Sequence, residues 1–386
     1  MKKSCFLIFF IIHILISQTW SQTSSTEIYL LTCDPGTESY SMYGHSALRV
    51  ADTSRNLDLV YNWGVFDFST PNFNYQFAKG RLDYMLGVYS YDNFLKEYAF
   101  TKRSVYSQVV NLDETDMLRL LIMINENAKP ENRNYRYDFF MDNCATRIRD
   151  IFETILGEDL TYPDESIETL PTYRERLNEF LAAYPWLHLG IDLLIGSPGD
   201  DKCDLRGSMF LPDWLQRNLS LATVKSSTAN YPLLGPVETV LLFDRPDMKI
   251  PFYKEAWFIL SIIMLGILII TFRLRNRLFQ NLFDLILFIV LILLSFLMVF
   301  TNFLTEHVAM GLNFNIIWLN PLWLVSIYAL FAGDKFKWFW RTQIGLSLIF
   351  MILITLIKQS INPAIIPVVL IVIIRAYYRS MPELSD

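Results

Sequence analysis

The last third of this chain is a run of apolar segments with almost no charge, and no other feature limits its fold so strongly. Five such segments lie near residues 256–272, 281–304, 314–332, 342–358 and 361–376. A helix needs about 20 apolar residues to cross the hydrocarbon core of a bilayer. Backbone polar groups in lipid must be satisfied within the segment, so helices are the expected form. The last two segments are short and are separated by Ile361-Asn362-Pro363. That break is either a tight turn between two spans or the tip of a helical hairpin that does not fully cross, which leaves five spans or four.

Charge divides the chain at the same place. Residues 22–253 hold 21 Lys and Arg against 33 Asp and Glu, and residues 254–386 hold 10 against 6, giving net charges of −12 and +4. The larger segment therefore reads as an acidic, water-soluble α+β domain, and its charge disfavours nucleic acid as a partner. Before it, Lys2 and Lys3, an apolar stretch from Cys5 to Ile16, and Thr19-Trp20-Ser21 have the pattern of a signal peptide over residues 1–21, with an uncleaved anchor as the alternative. Basic residues follow the first segment (Arg273, Arg275, Arg277), the third (Lys335, Lys337, Arg341) and the last (Arg375, Arg379), while the second and fourth connections have only Lys358. This alternation predicts a multi-pass protein of the cytoplasmic membrane, with residues 22–253 outside it and the C-terminus inside.

Outside the leader the exported segment has three cysteines, Cys33, Cys144 and Cys203. An odd number in an oxidising compartment leaves one thiol over, and a Cys33–Cys203 disulfide with Cys144 unpaired is the economical expectation. Asp142-Asn143-Cys144-Ala145-Thr146-Arg147 leads into Ile148, Ile151, Phe152, Ile155 and Leu156, an apolar stripe of helical period that stops at Gly157. With Asp142 or Asn143 as N-cap, Cys144 falls in the first turn, where the helix dipole and free backbone N–H groups favour a thiolate. A structural cysteine packed under a helix start is the competing reading.

A thiolate nucleophile usually works with a histidine. His45 opens the alternating stretch to Val50, and Leu57 to Trp63 alternates in the same way, so the two are expected to form a hairpin. Asn62 or Asp67 is then the candidate to orient the imidazole. A satisfied core histidine and an ordinary strand-end asparagine are the plainer alternatives. A scaffold helix is expected from about Asp113 to Ala128, and core strand over Tyr135, Tyr137, Phe139 and Phe140. Arg147 and Arg149 read as surface pairs with nearby acids. No phosphate loop or metal-spaced cluster is present in the sequence.

Several ordered motifs carry a resemblance. These are Leu30 to Gly36, Tyr43-Gly44-His45-Ser46-Ala47-Leu48-Arg49, Tyr61 to Phe68, Asp142 to Arg147, Met209-Phe210-Leu211-Pro212, Glu306-His307 and Trp318-Leu319-Asn320-Pro321. Together they resemble the Lnb family, with Asp34 standing where a less constrained residue is expected. The order of His before Cys is also similar to the circularly permuted papain-like fold of NlpC-type proteins. The resemblance implies a lipoprotein N-acyltransferase that moves an acyl chain to the α-amino group of an N-terminal lipidated cysteine. Cys144 would be the nucleophile, His45 the base, and Asn62 or Asp67 the third member. The implied partners are a phospholipid acyl donor and a diacylated lipoprotein acceptor, with no cofactor or metal. Glu306, His307 and Asn320, close to the outer interface, are candidate substrate-binding groups, with an interfacial belt as the alternative. Two other functions fit parts of the pattern: an NlpC-type peptidase or amidase acting on cell-wall peptide, and a non-catalytic membrane sensor or transporter.

Overall fold

A computed structural model describes residues 26–38, 41–163, 170–227, 229–245, 249–274 and 276–381; the expected signal peptide and Arg275 lie outside the described residues. The N-terminal half is built on an antiparallel sheet of seven strands. We number them β1 (Thr26–Cys33), β2 (His45–Asp52), β3 (Leu57–Val65), β4 (Asp83–Ser90), β5 (Val105–Val109), β6 (Asn134–Arg136) and β7 (Glu238–Leu241). Their order in space is β7-β5-β1-β2-β3-β4-β6. Helices of this half include α1 (Phe73–Lys79), α2 (Tyr91–Phe100), α3 (Glu114–Asn127), α4 (Cys144–Leu156), α5 (Pro185–Leu194) and α6 (Pro212–Leu221).

The period of two in the strands divides the core. Ile28, Leu30, Leu48, Val50, Tyr61 and Trp63 face one side and pack with Ile148, Phe152 and Leu156 of α4. Leu31, Cys33, Ala47, Val60 and Val105 face the other and meet Phe94 and Tyr98 of α2. Two registers bear on the site. Cys33 pairs with His45 across β1 and β2, and β2 pairs with β3 as the expected hairpin. The turn into His45 uses Gly44 at φ +82°, where a Cβ would stand 2.8 Å from the Cys33 carbonyl oxygen. Glycine answers both the positive φ and the close approach.

Two expectations need correction. Only residues 134–136 of the aromatic stretch are strand, because the Asp138 carboxylate accepts from the N–H groups of Phe140 and Met141 at 2.9 Å and bends the chain into a turn. No disulfide joins Cys33 to Cys203, since the two lie in different apolar clusters, Cys33 under α2 and Cys203 among Phe140, Leu177 and Phe210.

The second half is helical: α7 (Ala256–Arg273), α8 (Arg277–Phe303), a segment of short turns over Phe314–Phe331, α9 (Lys337–Leu353) and α10 (Ile365–Ser380). Among the described residues, three segments are long and apolar enough to cross a membrane: α7, α8 and Phe314–Phe331. The other two have 17 and 16 residues, or about 24–26 Å at 1.5 Å per residue. Arg375 of α10 meets Asp284 of α8 through two bonds of 2.6 and 2.7 Å and Thr271 of α7 at 2.7 Å, which ties three helices together through fully buried charges.

The two halves are hydrogen-bonded to each other. Asn313 Nδ2 donates to the Leu193 and Leu194 carbonyls at 2.7 and 3.2 Å, Asn362 Nδ2 to Asp192 at 2.9 Å, and the Gly196 N–H to the Ala309 carbonyl at 2.9 Å. Leu189, Leu193 and Leu194 of α5 pack against the core of the helical half.

Candidate active site

Cys144 is the first residue of α4, and the chain around it is built to hold that helix start. Asn143 is the N-cap. Its Oδ1 accepts from the N–H groups of Ala145 and Thr146 at 2.8 and 3.0 Å, while the Thr146 hydroxyl accepts from the Asn143 N–H at 2.7 Å. The Asn143 amide nitrogen is buried and donates to the carbonyls of Phe139 and Phe210, each at 2.8 Å. This explains the Met209–Pro212 motif: Phe210 locks the cap, and Pro212 packs beside Gly44. Asp142, the other capping candidate, instead forms a two-bond ion pair with Arg147 at 2.6 and 2.7 Å.

His45 reaches the thiol from the first position of β2. Its Nε2 lies 2.5 Å from Asn62 Oδ1 on β3. An amide oxygen can only accept, so Nε2 carries the proton and donates it, which leaves Nδ1 for Cys144. Gly64, at φ +97°, sits against both groups: a Cβ there would be 3.6 Å from His45 Cε1 and 3.7 Å from Cys144 Cβ. Asp67 has a different position. It is exposed and its carboxylate takes the N–H and hydroxyl of Ser69, both at 2.8 Å, so the group beside the imidazole is Asn62.

The electrostatics favour a charge-separated pair. Burial pushes the Cys144 thiol up, but the His45 charge, its hydrogen bond, and the backbone N–H groups of Ser46 and Ala145 outweigh burial and hold it below the ordinary thiol range. Burial lowers His45, yet Cys144 and Asn62 together bring it above its usual value, against a smaller opposing push from Arg103. Both shifts run in the direction that favours a thiolate facing an imidazolium. Cys33, the cross-strand neighbour of His45, behaves oppositely, since burial under α2 raises it to about 12. Reactivity is therefore confined to one of these two thiols.

Such a pair can attack an ester, thioester or amide carbonyl, with Ser46 and Ala145 offering N–H donors near the sulfur. Residues 17–178 match the Lnb N-terminal periplasmic domain. Residues 249–384 match the Lnb transmembrane domain. The chain belongs to the Lnb family. It is a membrane protein with a periplasmic domain. No curated protein and no solved structure matches it.

The remaining candidates of this Lnb chain lie away from Cys144. Glu306 pairs with Arg81 at 2.6 Å and with Arg136 at 3.7 Å, and the Arg81 partner holds its carboxyl below the usual range. His307 Nε2 meets the Phe77 carbonyl at 2.9 Å, so it too carries a proton there. Both residues dock the loop after α8 onto the C-terminal end of α1. Asn320 is inside the helical half, where its amide donates to Ile317 O and Gln343 Oε1 at 3.0 Å. Sequence reasoning anticipated helix-start N–H groups such as that of Ala145 but missed Gly64, the Ser46 N–H donor and the Phe210 carbonyl. A backbone group carries no side-chain signature, and only the Met209–Pro212 motif hinted at the last.

Proposed function

We propose that this chain is a lipoprotein N-acyltransferase in which Cys144 carries the acyl group as a thioester. The observation that carries this reading is the Cys144–His45–Asn62 arrangement at the start of α4. The Cys144 thiolate attacks an ester carbonyl of a glycerophospholipid. The acyl C–O bond breaks, and His45 gives its proton to the departing glycerol oxygen. The amine of the lipidated cysteine then attacks the thioester, the C–S bond breaks, and His45 takes the proton released from nitrogen. This restores the thiolate–imidazolium pair. Each backbone donor to the tetrahedral oxyanion is worth roughly 3 kcal/mol, and no metal or cofactor enters.

The order of parts, His45 on β2, Asn62 on β3 and then Cys144 on a helix, supports reading the periplasmic half as a permuted papain-like fold. A bilayer-embedded half suits substrates whose extraction into water would cost about 0.8 kcal/mol per CH₂. We place the chain in the inner membrane with the five helical segments as spans and the C-terminus cytoplasmic, on the alternation of basic loops.

The test uses the full-length protein in proteoliposomes. Mass spectrometry is expected to find the donor's acyl mass on Cys144, labile to hydroxylamine. Addition of a diacylated lipopeptide should discharge it with gain of that mass at the peptide's N-terminal amine. No adduct with any phospholipid, or cleavage of cell-wall peptide by the same protein, would overturn the assignment.

A further inference from the structure

Between the thiol and the helical half runs a line of aromatic rings. Phe66, two residues past Gly64, sits edge-on to Tyr84 at 5.2 Å, and Tyr84 stacks on Tyr137 at 4.2 Å. Cys144, Tyr137, Phe66 and Phe73 are all partly buried against the same core cluster. The link to the thiol is Gly64, where a Cβ would stand 3.7 Å from Cys144 Cβ and from which Phe66 is two residues along the chain. In the other direction Phe66 meets Phe68 and Phe73 at 4.9 and 5.7 Å, Phe73 stacks with Phe77 at 6.5 Å, and Phe77 meets His307 at 6.3 Å.

This line ends where a span ends. The Glu306 N–H donates to Lys79 O at 2.8 Å, the Thr305 hydroxyl to Ala78 O at 3.0 Å, and His307 meets Phe77 O. Thr305 lies two residues beyond α8, and α8 is the return pass after α7, which leaves directly from the periplasmic half. The loop thus fixes α1 at the periplasmic end of a span. There Phe68, Tyr75 and Phe77 are 72%, 55% and 52% exposed, an arrangement costly in water and suited to the interfacial zone of a bilayer. Phe252, Tyr253 and Trp257, where the chain enters α7, are exposed aromatic residues of the same kind. Lys79, Arg81 and Arg136 stand around the loop against the two carboxylates of Glu306 and Asp83, which leaves one positive charge in excess for a lipid phosphate.

We propose that residues 66–79 form an access ramp that takes one acyl chain of a periplasmic-leaflet phospholipid from the bilayer to Cys144. The proposal deepens the acyltransferase reading and rests on it for the fate of the chain. Exposed Phe68, Tyr75 and Phe77 receive the chain at the interface and the half-buried Phe66 and Phe73 lead it toward the Gly64 side of the thiol, while the headgroup stays beside Arg81 and Arg136.

Two measurements on the full-length protein in nanodiscs test it. The first is independent of catalysis: a phospholipid with a diazirine in its acyl chain is photolysed with the Cys144→Ala protein. Cross-links to residues 66–79 are expected, and cross-links confined to α7–α10 would overturn the ramp. The second compares acylation of Cys144 by a dipalmitoyl phospholipid and by a soluble dihexanoyl phospholipid in a Phe68→Ser/Phe77→Ser variant. The long-chain rate should fall about tenfold and the short-chain rate less than about twofold. Equal losses, or none, would count against the ramp. Cross-links to 66–79 without any acyl adduct in the unmutated protein would instead remove the acyltransferase reading and leave a lipid-binding surface.

Discussion

At the scale of single residues, the chemistry depends on one thiol being unlike the others. Cys144 is depressed and His45 raised by each other, so the thiolate persists as pH falls until it passes the lowered Cys144 value. Alkylation of Cys144 by iodoacetamide should therefore remain fast below the ordinary thiol range. His45→Ala removes the leading depressing influence, so the rise in rate should move to higher pH, and the rate near about pH 6.5 should fall by about tenfold or more. A pH profile unchanged by that substitution would contradict the pair. Much of this pair is legible in sequence, because a helix N-terminus and an alternating strand have periodic signatures around Cys144 and His45. The choice between Asn62 and Asp67 is not. It turns on the chain leaving the sheet after Val65, where a local bond to Ser69 is nearer to Asp67 than the imidazole is.

At the scale of elements, caps and buried charges decide what holds. Asn143 serves α4 with its oxygen and two separate loops with its nitrogen, so Asn143→Ala loses a cap and leaves the Phe139 and Phe210 carbonyls unpaired. We expect a loss of about 2–3 kcal/mol in thermal or denaturant unfolding, together with a slower alkylation of Cys144. Asn143→Asp should keep the cap yet still lose both carbonyl partners. In the helical half, Asp284→Asn leaves Arg375 buried without a full counter-charge. Loss of one partner of such a pair typically costs about 3–5 kcal/mol. The thermal midpoint of the detergent-solubilised protein should drop far more than for Asp334→Asn, an exposed carboxylate paired with Lys337 at the head of α9. Helix positions are the easiest elements to read: α3 and α4 begin and end within about a residue of the apolar pattern. Residues 137–140 mislead because aromatic content resembles β-structure, while the deciding group is a single Asp138 carboxylate.

At the scale of the whole molecule, the seam between the halves is a tight one. A Cβ on Gly196 would stand 1.9 Å from the Gly311 carbonyl oxygen. Gly196→Ala should therefore separate the seam and expose residues 192–200 to limited proteolysis in the membrane-embedded protein, whereas Gly190→Ala, which meets no atom within 4 Å, should not. Composition marks a change of solvent near residue 253, but it carries no sign that α5, far upstream, packs into the helical half. Hydropathy reports what a segment tolerates, not which neighbours it has. Asn313, Gln359 and Asn362 reach back to residues 192–195 with specific geometry. A periplasmic half grafted onto a relative's membrane helices would arrive with keys cut for a different lock.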